Sequence, residues 1–137
     1  MARKGAKSQV AVSRTQGEIR KLLVEKWGCD SFGILENARS STATIQFVWT
    51  DEDLRHYTAQ FELPTGLEDR GMWRTMLYWL NGAIDAMDAG IIEPELVFLP
   101  WILNCDGRPL GQVLLPKLRE LGAGEMHSFT AIEARSG

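Results

Sequence analysis

The chain has 137 residues, of which 45% are hydrophobic and 24% charged, with a formal net charge of −3 at pH 7. That length suits one domain, large enough to build a core without metal or disulfide staples. The composition excludes a disordered or fibrous chain, and no apolar run approaches the ~20 residues of a bilayer span, so no transmembrane helix and no membrane association is expected.

The basic start Met1-Ala2-Arg3-Lys4 is not followed by an apolar stretch, so no secretory leader is expected. Cys29 and Cys105 lack CxxC spacing and read as two reduced thiols in a cytoplasmic setting. Charge is unevenly spread. Residues 1–28 hold seven basic side chains against two acidic ones, whereas the remainder holds eight basic against sixteen acidic. A basic segment of this kind neutralises phosphates, or serves as a solvated tail.

Residues 1–12 show no apolar periodicity and are expected as a flexible basic arm. Thr15-Gln16-Gly17-Glu18 fits a capping box that would open the first helix, with Val12 as a staple if Ser13 is the cap. Ile19, Leu22, Leu23 and Trp27 follow at helical spacing, and Gly28 supplies the stop. A short strand is predicted around Ser31–Leu35. Thr42–Trp49 alternates inward Ala43, Ile45, Phe47 and Trp49 with polar residues, and a third strand runs from His56 to Leu63. Short connections make these an antiparallel meander.

The longest helix is expected over Glu68–Ala89, with Trp73, Met76, Leu77, Leu80, Ile84 and Met87 as its apolar stripe and Gly71 and Gly82 permitting close packing. Glu93-Pro94-Glu95 starts a shorter helix, Asn104-Cys105-Asp106-Gly107 forms a turn, and a last helix covers Leu110–Leu121 with Pro116 as a kink. The expected fold is α+β: a three-stranded antiparallel meander packed by an N-terminal helix, a long central helix and shorter C-terminal helices. The domain spans residues 13–121, and 122–137 form a flexible tail.

Chemistry is limited. His56 and His127 lie far apart and neither neighbours a cysteine at ligand spacing, so no metal site and no cofactor is expected. Asp51-Glu52-Asp53 lacks the glycine and distant glutamate of a calcium loop and reads as a hairpin turn. No nucleophile elbow, phosphate-binding loop or dinucleotide fingerprint is present in the sequence. Asp85 and Asp88 read as a solvated helix face. Five tryptophans are many for this length; Trp79 falls off its helix's stripe and is either a partner anchor or covered by the C-terminal helix. Arg70 and Arg74 flank Trp73, as side chains that stack on nucleic-acid bases or as an ordinary solvated helix end.

Ser13-Arg14-Thr15-Gln16-Gly17-Glu18-Ile19 with Leu22-Leu23, then Trp73-Arg74, Asp88-Ala89-Gly90-Ile91 and Leu103-Asn104-Cys105-Asp106-Gly107-Arg108, resembles a group of small phage- and prophage-encoded proteins with no assigned activity. The likeness covers residues 13–121 and rests on structural motifs: a cap, a helix and a turn. It implies a mobile-element protein in the host cytoplasm.

The preferred expectation is a non-enzymatic accessory protein that contacts DNA or RNA through Arg3, Lys4 and Lys7 of the arm and Arg14, Arg20 and Lys21 of the first helix. The alternative is an inhibitor of a host defence nuclease, or of another host nucleic-acid-processing protein, acting through an acidic surface around Asp51, Glu52 and Asp53, with Trp79 as anchor. A small enzyme with a carboxylate site comes third. A homodimer through a strand edge or through Trp79 is compatible with each.

Overall fold

Burial of apolar periodicity on one side of each segment produces the expected α+β arrangement, seen in a computed structural model that describes residues 3–64 and 69–122, with side chains from Val10 onward. Helix α1 (Arg3–Arg20) runs into a π-helical segment (Lys21–Trp27). Strands β1 (Ser31–Asn37), β2 (Thr42–Thr50) and β3 (His56–Leu63) follow. Helix α2 (Arg70–Asp88), short α3 (Pro94–Val97), a 3-10 turn (Leu99–Trp101) and α4 (Leu110–Gly122) complete the chain. None of the described helices is long and apolar enough to cross a membrane.

The start of α1 corrects two expectations. The backbone of residues 3–12 is helical, not an irregular arm, and Thr15 caps nothing. Its buried hydroxyl donates to the Ala11 carbonyl one turn back at 3.2 Å. Val12 is a core residue, 3% exposed, in line with the buried Ile19 and Leu23. Packing Val12 against the core therefore extends the helix past the sequence-level cap. The widened π-helical turn at Lys21–Trp27 carried no sequence signal; it ends at Gly28, whose φ of +86° suits a residue without Cβ. There the N–H groups of Gly28 and Cys29 both donate to the Leu23 carbonyl at 3.0 Å.

The sheet is antiparallel in the order β1-β2-β3. Its register sets small residues opposite large ones on the inner face, Ala43 against Leu63 and Phe47 against Ala59, which leaves room for helix side chains. Ile19, Leu22 and Leu23 fill that room from the first helix, and Trp73, Leu80 and Ile84 from α2. Phe98 sits at the centre, fully buried, with the rings of Trp27, Phe47, Trp49, Phe61 and Trp79 at 5.1–6.3 Å. The outer edge of β3 is covered where Ile102 bridges Ala59 and the Leu103 N–H donates to the Thr58 carbonyl at 2.8 Å.

Asp69 caps α2, its carboxylate accepting from the Met72 N–H at 3.1 Å; Glu68 lies outside the described residues. Close packing at Gly82 is not found, since a methyl group there would meet nothing within 4 Å. Gly111 is where a missing Cβ matters: one built there would stand 2.9 Å from the Pro100 carbonyl oxygen, so glycine sets the root of α4 against the 3-10 turn. Beyond that root α4 buries no side chain, and Leu114, Leu115, Leu118 and Leu121 stay exposed. Trp79 is accordingly not covered by α4. It packs edge-on against Phe61 and Trp101, at 5.7 and 5.0 Å, and remains 39% exposed.

The two thiols differ in environment. Cys29 is buried beside the Ser31 carbonyl, and Cys105 is exposed in its turn. Burial, with the nearby Asp30 charge, pushes the Cys29 thiol above its ordinary value. A thiol-reactive dye should therefore label one cysteine rapidly in the folded protein, mapping to Cys105, and the second only on denaturation.

Candidate nucleic-acid interface

Helices α1 and α2 lie side by side and run parallel. Ala11 and Arg14 share a cleft with Arg70, Arg74 and Tyr78, and farther along Lys26 pairs with Asp85 at 2.8 Å. The cleft, of about 460 Å³, is lined by Ala11, Arg14, Thr15, Glu18, Arg70, Arg74, Leu77 and Tyr78. Three arginines from two helices thus line one cleft, with Glu18 as its single acidic residue. All three arginines are exposed at the surface. Tyr78 is 63% exposed and its hydroxyl accepts from Arg74 Nη2 at 3.4 Å. Guanidinium forks match phosphate oxygens, and an exposed ring beside them offers a base a stacking face.

The residues expected from sequence divide. Arg14 lines the cleft. Lys21, seven residues on, returns to within about 20° of Arg14 at α-helical pitch, whereas Arg20 is turned about 120° away. Both are exposed. Arg3, Lys4 and Lys7 belong to α1, but their side chains lie outside the described ones. Sequence reasoning flagged Arg70 and Arg74 only as flanks of Trp73, because nothing local signals that α1 would supply a third arginine.

The acidic expectation leads to a second cleft, where α1 gives way to the sheet. It has a volume of about 520 Å³ and collects six carboxylates from Asp30, the β2–β3 turn and the start of α3, with Trp27 and Trp49 in its wall. Trp49 Nε1 donates to Glu95 Oε1 at 3.0 Å. Among the described residues no three His, Cys, Asp or Glu groups converge as a metal site would require.

Within the acidic trio the Asp51 carboxylate is engaged by the turn itself. Oδ1 accepts from the Asp53 and Arg55 N–H groups, each at 2.9 Å, and Oδ2 from the Tyr57 hydroxyl at 2.9 Å and Arg55 Nε at 3.0 Å. These bonds hold Leu54 at a φ of +65°, a conformation disfavoured for a side chain with a Cβ. Glu52 and Asp53 remain exposed.

The Arg55 N–H, followed by the Tyr57 hydroxyl and the Arg55 charge, holds the Asp51 carboxyl below its ordinary value. A depressed carboxylate contributes stability above its unfolded-state pKa and loses it as pH falls through the folded-state value. Acidification below the usual carboxylate range should therefore release the turn, read as faster amide exchange at Leu54 and Arg55. Asp51→Ala, which removes the acceptor of the Arg55 N–H, should show that fast exchange already at neutral pH.

No protein-family model matches the chain, and no curated protein or solved structure matches it either. Fold and clefts define an α+β protein with opposite charge gathered at two separate clefts.

Proposed function

We propose that this chain is a non-enzymatic accessory binding protein of a phage or other mobile element that grips nucleic-acid backbone in the α1–α2 cleft. The observation that carries the reading is the convergence of Arg14, Arg70 and Arg74 from two helices beside the exposed ring of Tyr78. Each guanidinium pairs with phosphate oxygens, and Tyr78 stacks on an unpaired base. Backbone contacts carry no base information, so binding is sequence-independent and weakens with salt. Fluorescence anisotropy with labelled single-stranded and duplex DNA and RNA, at low and high salt, tests it. Salt-sensitive binding that is lost on substituting the cleft arginines supports the reading. No binding at low salt refutes it.

A second reading rests on the acidic cleft. Glu52, Glu93 and Glu95, with Asp53 paired to Arg55 at 2.8 Å on the same rim, present a net negative surface with aromatic walls, complementary to the cationic groove of a nucleic-acid-processing host protein such as a defence nuclease. Arg14 and Gly28 are fourteen residues apart along one helical rod, so the two clefts stand on the order of 20 Å apart and are separable by mutation. Capture of a host protein lost in Glu52→Lys/Asp53→Lys, but retained when the cleft arginines are changed, would favour this reading.

A further inference from the structure

Helix α2 divides its accessible surface in two. At α-helical pitch Arg70, Arg74 and Tyr78 fall on one side, while Met72, Met76 and Trp79 fall opposite, within about 60° of one another. The first side belongs to the α1–α2 cleft. The second forms one wall of a pocket of about 660 Å³ whose other wall is the end of β3 together with Trp101. Trp101 stacks on Phe61 at 4.6 Å and 25°, and Trp79 meets Trp101 at 5.0 Å and 65°. Two ring planes therefore join at a steep angle and make an aromatic corner. Trp79 is exposed, and Trp101, Met72 and Met76 are half-buried, so apolar surface is presented on both walls. Pockets of this size, largely apolar with a few placed polar groups, are the usual seats of small molecules.

The charges in the lining specify the ligand. Among the described residues that line the pocket, Glu62 and Asp69 alone are ionisable, and both are exposed carboxylates. Glu62 follows Phe61, whose ring contacts Trp79 and Trp101, so this carboxylate and the aromatic corner share one end of the pocket. Among the described residues Glu62 takes part in no ion pair. Asp69 marks the other end, where it accepts the Met72 N–H at 3.1 Å, a bond that leaves its negative charge in place. Arg70, the next residue, lines the α1–α2 cleft instead. Carboxylates on an aromatic lining favour a cation, which they attract while the ring quadrupole holds it. An anion is repelled, and a neutral guest gains nothing from either carboxylate. We propose that this pocket binds a small organic cation, a quaternary or protonated ammonium head on an apolar body. The head lies against Trp79 beside Glu62, and the body lies along Met76 and Met72. The pocket does not overlap the α1–α2 cleft, and the proposal stands independently of the proposed function.

Titration of the full chain at constant ionic strength tests this, followed by the methyl resonances of Met72 and Met76 and by tryptophan emission. Met87, which does not line the pocket, is the internal control. The probes are benzyltrimethylammonium, choline, and 3,3-dimethylbutan-1-ol, the uncharged carbon counterpart of choline. Benzyltrimethylammonium should bind most tightly, and choline should bind about threefold to tenfold more tightly than the alcohol. Glu62→Gln should weaken choline binding about two- to fivefold and leave the alcohol unchanged. The fold should survive that change, because Glu62 is exposed. Trp79→Leu, checked for folding by circular dichroism, should weaken both cations about tenfold. No saturable shift at either methionine with any probe would overturn the proposal. Equal affinity for choline and the alcohol, or cation binding that both substitutions leave unchanged, would overturn it too.

Discussion

Phe98→Ala is expected to cost about 3–5 kcal/mol of unfolding free energy and to lower the melting temperature by on the order of 10–20 °C. Phe98 is 0% exposed and belongs to no long helix or strand; it follows α3 and plugs the space between helices and sheet. Its ring meets Phe47 edge-on at 5.1 Å and Trp27 and Trp49 at 5.6 Å, and it approaches Phe61 and Trp79 at 6.3 and 6.0 Å. Truncation removes all of these ring contacts at once, and the rigid sheet cannot collapse into the void. Thermal denaturation followed by circular dichroism measures the effect. Three of the ring partners are tryptophans, so the variant should also show red-shifted emission before it melts. A change below about 1 kcal/mol would mean that the cluster is loosely packed and that Phe98 is not its centre.

Changing Arg14, Arg70 and Arg74 to glutamine is expected to flatten the salt dependence of nucleic-acid binding. Each phosphate contact on a single strand contributes about 0.7 to the slope of log K against log salt, so three contacts contribute about 2. A roughly fourfold rise in salt should therefore cost the parent protein roughly 20-fold in affinity through these residues alone, a loss that the triple variant no longer shows. Arg20→Gln, turned away from the cleft, should leave the slope nearly unchanged. Tyr78→Ala should weaken single-strand binding by about 1–3 kcal/mol while leaving duplex binding little altered. Substituting Arg3, Lys4 and Lys7 tests the N-terminal part of α1. Deleting residues 1–12 is the poorer experiment, because it removes the buried Val12 and confounds binding with folding. If Arg20→Gln matched the triple variant, binding would belong to the outer face of α1 and the cleft reading would fail.

Most elements were legible because their signals are local. The alternation Ala43, Ile45, Phe47, Trp49 specified β2 and its inward face, and each of those side chains is buried. Gly28 marked the end of the first helix, and Asn104 marked its turn by accepting the N–H groups of Asp106 and Arg108 at 3.0 and 2.9 Å. Where local and tertiary signals conflicted, the tertiary one prevailed. Thr15-Gln16-Gly17-Glu18 is a good capping box on paper, but burying Val12 beneath the same helix is worth more than ending it there.

By itself the sequence determined the α+β class, the order of helices and strands, the inner face of the sheet and the excess of basic charge near the N-terminus, since each depends on neighbours along the chain. Only the tertiary structure decided how those charges combine. The parallel packing of α1 on α2 brings Arg14 to Arg70 and Arg74 across more than fifty residues of sequence, and the β2–β3 turn spends Asp51 on its own backbone. It also decided that the leucines of α4 stay uncovered, a result that depends on where Gly111 seats the helix against Pro100. Convergence of distant residues and the cover of an apolar face are properties of packing, and no periodicity along the chain encodes them.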